Sequence, residues 1–192
     1  MKKYFLDCGT HLCEGLNDFI GKKIIDQSFE IHTFEANPIC KDTITSILLN
    51  NLKDFNITQH DKAIWVKNEQ IFFSQEFRDV YGSPQNAGLG SSVSGIGFVH
   101  HGLSEKIEIS AISLSEFLNN NIDDNSYVIC KMDIEGSEFK VLRHLIDTGT
   151  IKKINEIYIE FHQRFMPEES DESKDQLVFQ LENLGVKVSQ WF

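Results

Sequence analysis

The stretch YVICKMDIEGSE, residues 127–138, opens with the most apolar strand-like run of the chain, Tyr127–Met132. A run apolar at successive positions, rather than at every second one, marks a strand buried on both faces, as in a parallel sheet covered by helices. It breaks at Asp133, Glu135 and Gly136 and gives way to a helix from about Ser137 to Ile146. The buried stripe of that helix is Phe139, Leu142 and Ile146. Buried carboxylates need partners or a shifted pKa, so acids at the end of such a strand point to chemistry. Asp133 is expected to face a crevice near a reacting group, whereas Glu138 is explained by favouring the helix N-terminus.

Working outward, the same alternation recurs on both sides. Tyr4–Cys8 is a short apolar strand ended by Gly9, followed by a helical stripe of Leu16, Phe19, Ile20 and Ile24. Ile31–Glu35 is a second strand. Asn37-Pro38 supplies an N-cap and a first-turn proline for the next helix, with stripe Ile44, Ile47, Leu48 and Leu52, and Ile57–His60 is a third strand. After residue 138 come a strand over Ile154–Phe161, a helix marked by Leu177, Val178, Leu181 and Leu184 that ends at Gly185, and a last strand Val186–Trp191. The acidic Glu168–Glu172 loop reads as a solvated turn. Between these regular parts, Gln70–Ser74 and Lys106–Ile112 read as an inserted β-hairpin around a long loop, Tyr81–Gly102, rich in Gly and Ser. The expected architecture is a doubly wound, mostly parallel α/β sheet in a single domain over residues 1–192, with that hairpin inserted.

Composition bounds the function. The 192 residues carry 41% hydrophobic and 24% charged side chains, which excludes a disordered chain. With 18 Lys and Arg against 29 Asp and Glu the net charge is −11, which argues against nucleic acid as a partner. No apolar run reaches the ~18–20 residues of a membrane span, and MKKYFLDCG enters a strand without signal-peptide architecture, so a cytoplasmic protein is expected. The four cysteines form no CxxC pair, and free thiols in a reducing compartment are the reading. Trp191-Phe192 is expected to end a core strand, although a homodimer contact is also open.

In parallel α/β sheets ligands bind beyond the carboxyl ends of the strands, at the switch point of strand order. The segments to inspect are therefore Asp7–Gly15, Glu35–Asn37, Asp61–Ile64, Asp133–Glu138 and Glu160–His162. Gly9 allows a tight turn and a close backbone approach. Glu35 stands at the end of the second strand, 20 residues after Gly15, where a carboxylate accepts hydrogen bonds from ribose hydroxyls. Asp61 is a candidate acceptor for an adenine amino group. Strand alternation puts Glu160 and His162 on one side. With Asp133 they are candidates for a general base or for Mg²⁺ or Mn²⁺ ligands.

FLDCGTHLCEG, FEANP, HDKAIW, GSSV and above all KMDIEGSEFKVL resemble the FkbM family of S-adenosylmethionine-dependent methyltransferases, over most of Phe5–His162. The resemblance implies a class I methyltransferase (Rossmann-like) fold and methyl transfer to a hydroxyl of a sugar, glycan or small natural product. It places Asp7 and Gly9 at the methionine half of the cofactor and Glu35 at the ribose, with Thr10 and Ala36 also among the cofactor-binding residues. Asp61 and Ala63 fall at the adenine, Asp133 beside the methyl donor, and Ser92 of GSSV near cofactor or substrate. Asp133 and His162 are the expected catalytic pair. At the second glycine of the family's DxGxxxG pattern this chain has Cys13, which is expected to crowd the start of the first helix, with Gly15 as partial compensation. Two readings compete: a NAD-dependent oxidoreductase, disfavoured by the absence of GxGxxG, and a catalytically weak cofactor-binding or partner-binding domain.

Overall fold

The computed structural model describes residues 1–76, 91–93 and 104–191. Six strands form one parallel sheet: β1 (Lys3–Cys8), β2 (Phe29–Phe34), β3 (Asn56–His60), β7 (Tyr127–Met132), β8 (Glu156–Ile159) and β9 (Lys187–Gln190), in the order β3-β2-β1-β7-β8-β9. Between β3 and β7 the chain forms β4 (Ala63–Trp65), β5 (Glu69–Glu76) and β6 (Ser104–Ser113), a small second sheet in the order β4-β6-β5. β5 and β6 pair antiparallel, which is the inserted hairpin, and β4 lies parallel to β6. Most of the long loop expected at Tyr81–Gly102 lies outside the described residues, as do Gly90 and Phe192; only residues 91–93 of that loop are described.

The two apolar faces of the sheet follow from alternation along the central strands. Tyr4, Leu6 and Cys8 of β1 and Val128, Cys130 and Met132 of β7 join one core with α3 (Leu114–Asn121), α4 (Glu138–Asp147) and α5 (Asp171–Asn183). Phe5 and Ile129 point the other way, into a core with Leu16 and Phe19 of α1 (Glu14–Gly21) and Ile44 of α2 (Lys41–Asn51). Asp7 and Lys131 continue the Phe5–Ile129 side to the carboxyl ends of their strands and are paired in register. This places a carboxylate and an ammonium under α1. Trp191 is buried in the same core, as expected for a core strand end.

Several elements differ from the sequence reading, among them the short strand β4, which makes the second sheet three-stranded. α3 was not foreseen: its apolar residues follow β6 directly, and Ser113 caps it by accepting from the Glu116 amide at 3.3 Å. The helix after Asn37 starts as a 3₁₀ turn, Pro38–Cys40, before α2. β8 stops at Ile159, so Glu160 and His162 leave the sheet; at His162 the backbone has turned (φ −106°, ψ 26°) into a short 3₁₀ segment, Gln163–Phe165. Their proximity therefore comes from a turn rather than from strand alternation. Among the described residues no helix is long and apolar enough to cross a membrane.

Candidate active site

The switch point of the sheet lies between β1, from which the chain winds outward to β2 and β3, and β7, from which it winds to β8 and β9. Here the segments that follow β1 and β7 touch. Gly9 has φ +80°, and a Cβ on it would lie 1.7 Å from the Asp133 carbonyl oxygen. Only glycine allows that approach. The loop is then fastened by hydrogen bonds from the Gly9 and Thr10 amides to the Phe34 carbonyl, at 3.0 and 3.1 Å. Lys131 Nζ donates to the Gly9 carbonyl at 2.6 Å, and the Thr10 hydroxyl donates to that of Asp7 at 3.0 Å.

Lys131 is the centre of this end of the sheet. Its buried ammonium stands 3.6 Å from Asp7 Oδ1 and 3.5 Å from Asp133 Oδ2. Burial works against the charge, but Asp7 and Asp133 outweigh it and hold Lys131 above its ordinary range. Burial raises the Asp7 carboxyl to about 6, partly offset by Lys131. Neither Asp7 carboxylate oxygen has a hydrogen-bond partner among the described residues. Gly15 of α1 is explained by the same ammonium stem, since a Cβ there would lie 3.2 Å from Lys131 Cε.

Glu35 fastens two loops at once. Its Oε2 accepts from the His11 amide at 2.6 Å and its Oε1 from the Asn37 amide at 2.7 Å. Burial raises its carboxyl above the usual carboxylate range, against the pull of those two amides. Asn37 carries the link onward: its amide group donates to Ser91 Oγ at 3.3 Å, and its side-chain oxygen accepts from Gln75 at 2.7 Å. Ser92 pairs with Ser74 of β5 through both backbone bonds and donates its hydroxyl to the Glu135 carbonyl at 2.7 Å. The short segment 91–93 is thus laid across the carboxyl ends of the strands.

These parts line a narrow crevice of about 80 Å³, smaller than the ~300–1,000 Å³ usual for small-molecule sites. Its polar wall is Gly9, His11, Glu35, Asp133 and Glu135; its apolar slot is made by Ala36, Ala63, Ile64, Phe73 and Val93. Of the residues expected from the sequence, Gly9, Glu35, Ala36, Ala63 and Asp133 line the crevice. Asp7, Thr10 and Ser92 stand behind its wall. Asp61 lies outside it, 2.8 Å from Lys41 Nζ and 2.8 Å from the Gln59 amide group. Cys13 is not among the residues that line the crevice. It adopts the left-handed conformation (φ 68°), which is why a glycine suits this position, and its side chain is buried in the core with Leu16 and Phe19.

At the β7 end, His162 is buried and surrounded by acids. Its Nδ1 lies 2.9 Å from Glu138 Oε1, and its Nε2 lies 3.4 Å from Glu135, 3.8 Å from Glu160 and 3.9 Å from Asp133. Burial opposes a charged imidazole, but Glu138, Glu135 and Asp133 prevail and raise His162 to about 9. Burial, with Asp133, Glu138 and Glu160 against a smaller opposing pull from His162, raises Glu135 to about 8. Glu138 is fully buried and accepts from the amides of Ile134 (3.0 Å) and Gly136 (3.0 and 3.2 Å) as well as facing His162. Sequence reasoning gave Glu138 only a helix-dipole role and gave no role to Glu135 or Lys131. The signal for Glu138 was its place three residues after a strained acid–glycine turn, where free amides need an acceptor.

The sequence matches the family model described as the methyltransferase FkbM domain over residues 7–188. The chain belongs to the FkbM methyltransferase family. Its fold resembles the crystal structure of the methyltransferase FkbM from Methylobacillus flagellatus KT, with a TM-score of 0.52 and 19% sequence identity. That match covers 96% of this chain and 37% of the other, so the chain spans just over a third of the length of that protein. No curated protein matches the sequence. Within the FkbM frame, the motif KMDIEGSE is the stretch that carries buried Lys131 and Glu138 and half-buried Asp133 and Glu135 into one electrostatic cluster.

Proposed function

We propose that the chain is an S-adenosylmethionine-dependent methyltransferase that methylates a hydroxyl oxygen of a sugar, glycan or small natural product. The observation that carries this reading is the crevice at the switch point, with Glu35 at one end, an apolar slot beside it and Asp133 at the other. These residues fit the cofactor: the Glu35 carboxylate suits a ribose diol, and Ala63, Ile64 and Phe73 suit a flat heteroaromatic ring. Buried Asp7, whose oxygens accept no hydrogen bond among the described residues and face the Lys131 ammonium at 3.6 Å, supports a polar interior behind the β1 loop, on the side assigned to the aminoacyl end. When bound, the cofactor supplies an electrophilic methyl group for in-line displacement.

The residues of the chain then have separate tasks. Glu35 orients the nucleoside while tying the first two loops together. Lys131 holds Asp7, Asp133 and the Gly9 carbonyl in fixed relation, so the crevice is preformed; such positioning is worth up to ~7–11 kcal/mol when ideal. A hydroxyl is a weak nucleophile, and Asp133, which lines the crevice with the charged His162 imidazole 3.9 Å behind it, is the group placed to receive its proton. Glu138 keeps the imidazole edge turned toward Asp133.

Isothermal calorimetry with S-adenosylhomocysteine and with NAD tests the cofactor. Saturable binding of the first and none of the second is expected, and the reverse would overturn the reading. Methyl transfer from labelled S-adenosylmethionine to a panel of sugars and phenols then tests the acceptor class.

A further inference from the structure

The His162 cluster carries a metal chemistry that the cofactor crevice alone does not require. One ligand atom each from Asp133, Glu135 and His162 lie within 4.8 Å of one another. We infer that these three side chains form a site for a hard divalent cation of the Mn²⁺ or Mg²⁺ type, which presents the acceptor oxygen at the β7 end of the crevice.

Four features of the geometry support the site. Glu138 engages Nδ1 of His162 at 2.9 Å, so Nε2 is the nitrogen turned toward Asp133 and Glu135; a carboxylate behind a ligating histidine is the common support of such sites. Glu138 is itself fixed by the amides of Ile134 and Gly136, so this support is rigid. Glu135 is held in the left-handed region (φ 53°) with its carbonyl bound by Ser92, and its carboxylate reaches Nε2 at 3.4 Å. Glu160, 3.8 Å from Nε2, stands by as a fourth oxygen donor.

The donor set decides the class of ion. Two carboxylates with one imidazole favour Mn²⁺ or Mg²⁺ over the soft metals that thiolates select. Ligand atoms bonded at ~2.1–2.2 Å to a six-coordinate ion stand ~3 Å apart, so side-chain shifts of about 1 Å close the present 3.4 and 3.9 Å gaps. Three protein ligands leave positions open, and Asp133 and Glu135 both line the crevice. The acceptor class that follows is one with two adjacent oxygens, such as a vicinal diol, chelated so that one oxygen loses its proton more readily. This acceptor assignment rests on the methyl-transfer reading; the cation site does not.

Titration of the full chain with Mn²⁺, followed by electron paramagnetic resonance, tests the site. One Mn²⁺ per chain is expected, displaced by Mg²⁺ in excess. Affinity should drop at least tenfold in Glu135→Gln and in Asp133→Asn, and stay unchanged in the exposed Asp175→Asn. Circular dichroism checks that each variant is folded. Absence of saturable Mn²⁺ binding, or binding indifferent to both Glu135→Gln and Asp133→Asn, overturns the inference. S-adenosylhomocysteine binding measured in EDTA reads the cofactor site separately, so either reading can fail without the other.

Discussion

Gly9→Ala is the substitution for which the structure gives the sharpest expectation. The new Cβ would sit 1.7 Å from the Asp133 carbonyl oxygen, and even the shortest tolerable contact, 3.0 Å, requires a retreat of about 1.3 Å. The oxygen belongs to backbone, so no side-chain rotation relieves the overlap. Holding a non-glycine residue at φ +80° costs ~1–2 kcal/mol, and overpacking adds ~1–3 kcal/mol. A shift of that size also stretches the Lys131 bond to the Gly9 carbonyl, worth ~1.5–3 kcal/mol as a charge-assisted bond. The total, about 3.5–8 kcal/mol, is a large share of a typical ~5–15 kcal/mol domain stability. Urea unfolding should show that loss, and calorimetry should show S-adenosylhomocysteine binding abolished or at least 100-fold weaker. Gly21→Ala is the internal control: nothing lies within 4 Å of its added Cβ, and it should be neutral or stabilise by up to ~1 kcal/mol. A Gly9→Ala protein within 1 kcal/mol of the parent, binding ligand equally well, would refute the reasoning.

Other substitutions probe the remaining parts. Glu35→Ala should leave the sheet folded but weaken S-adenosylhomocysteine binding ~100-fold or more in calorimetry, since the proposed role gives Glu35 two charge-assisted ribose bonds at ~1.5–3 kcal/mol each. Glu138→Gln should lower the melting temperature in calorimetric scans and weaken Mn²⁺ binding, because an amide NH₂ replaces the oxygen that accepts from Gly136 at 3.0 Å and the negative charge facing His162 is lost. Cys13→Gly should change urea stability by less than ~1 kcal/mol, relief at φ 68° offsetting the lost buried thiol, and leave ligand affinity within threefold. The His60 imidazole, 3.1 Å from His32, is pushed down to about 4 by burial and by His32. The folded state therefore resists protonation, and stability is full above the unfolded value near ~6.5 and lost as pH falls toward about 4. His60→Phe, which can keep the stack on Phe34, should lose about 1–2 kcal/mol less than the parent between pH 7 and 5 in urea titrations.

The parallel sheet was legible because its strands are buried on both faces: Tyr4–Cys8 and Tyr127–Met132 have no alternation to hide. Gly9 and Glu35 were legible for a related reason, since strand ends in such a sheet have few uses for a glycine or an acid. The helix at Leu114 was not, because eight residues opening directly from a long strand leave too short a stripe to recognise. Lys131 was quoted within its motif but gained no role, and no local pattern could assign one. Its partners, Asp7 and the Gly9 carbonyl, come from a strand more than 120 residues earlier in the chain, and only the β1–β7 register brings them together. His162 was placed correctly beside Asp133 for an incorrect reason, the strand having ended at Ile159.

The Cys13 substitution shows how a motif departure should be weighed. A glycine in a loop beside a ligand can be required because ligand atoms come close, or because the backbone is left-handed. The first need is absolute, whereas the second costs an L-residue only ~1–2 kcal/mol. Gly9 is of the close-approach kind, blocked by the Asp133 carbonyl; position 13 is of the second, with its Cβ directed into the core under α1. The buried thiol recovers part of that cost through its contacts with Leu16 and Phe19. The expected outcome is therefore ligand affinity little changed by Cys13. The consequence falls on stability, shared between strain and burial, while the crevice wall made by Gly9, Glu35 and Asp133 is untouched.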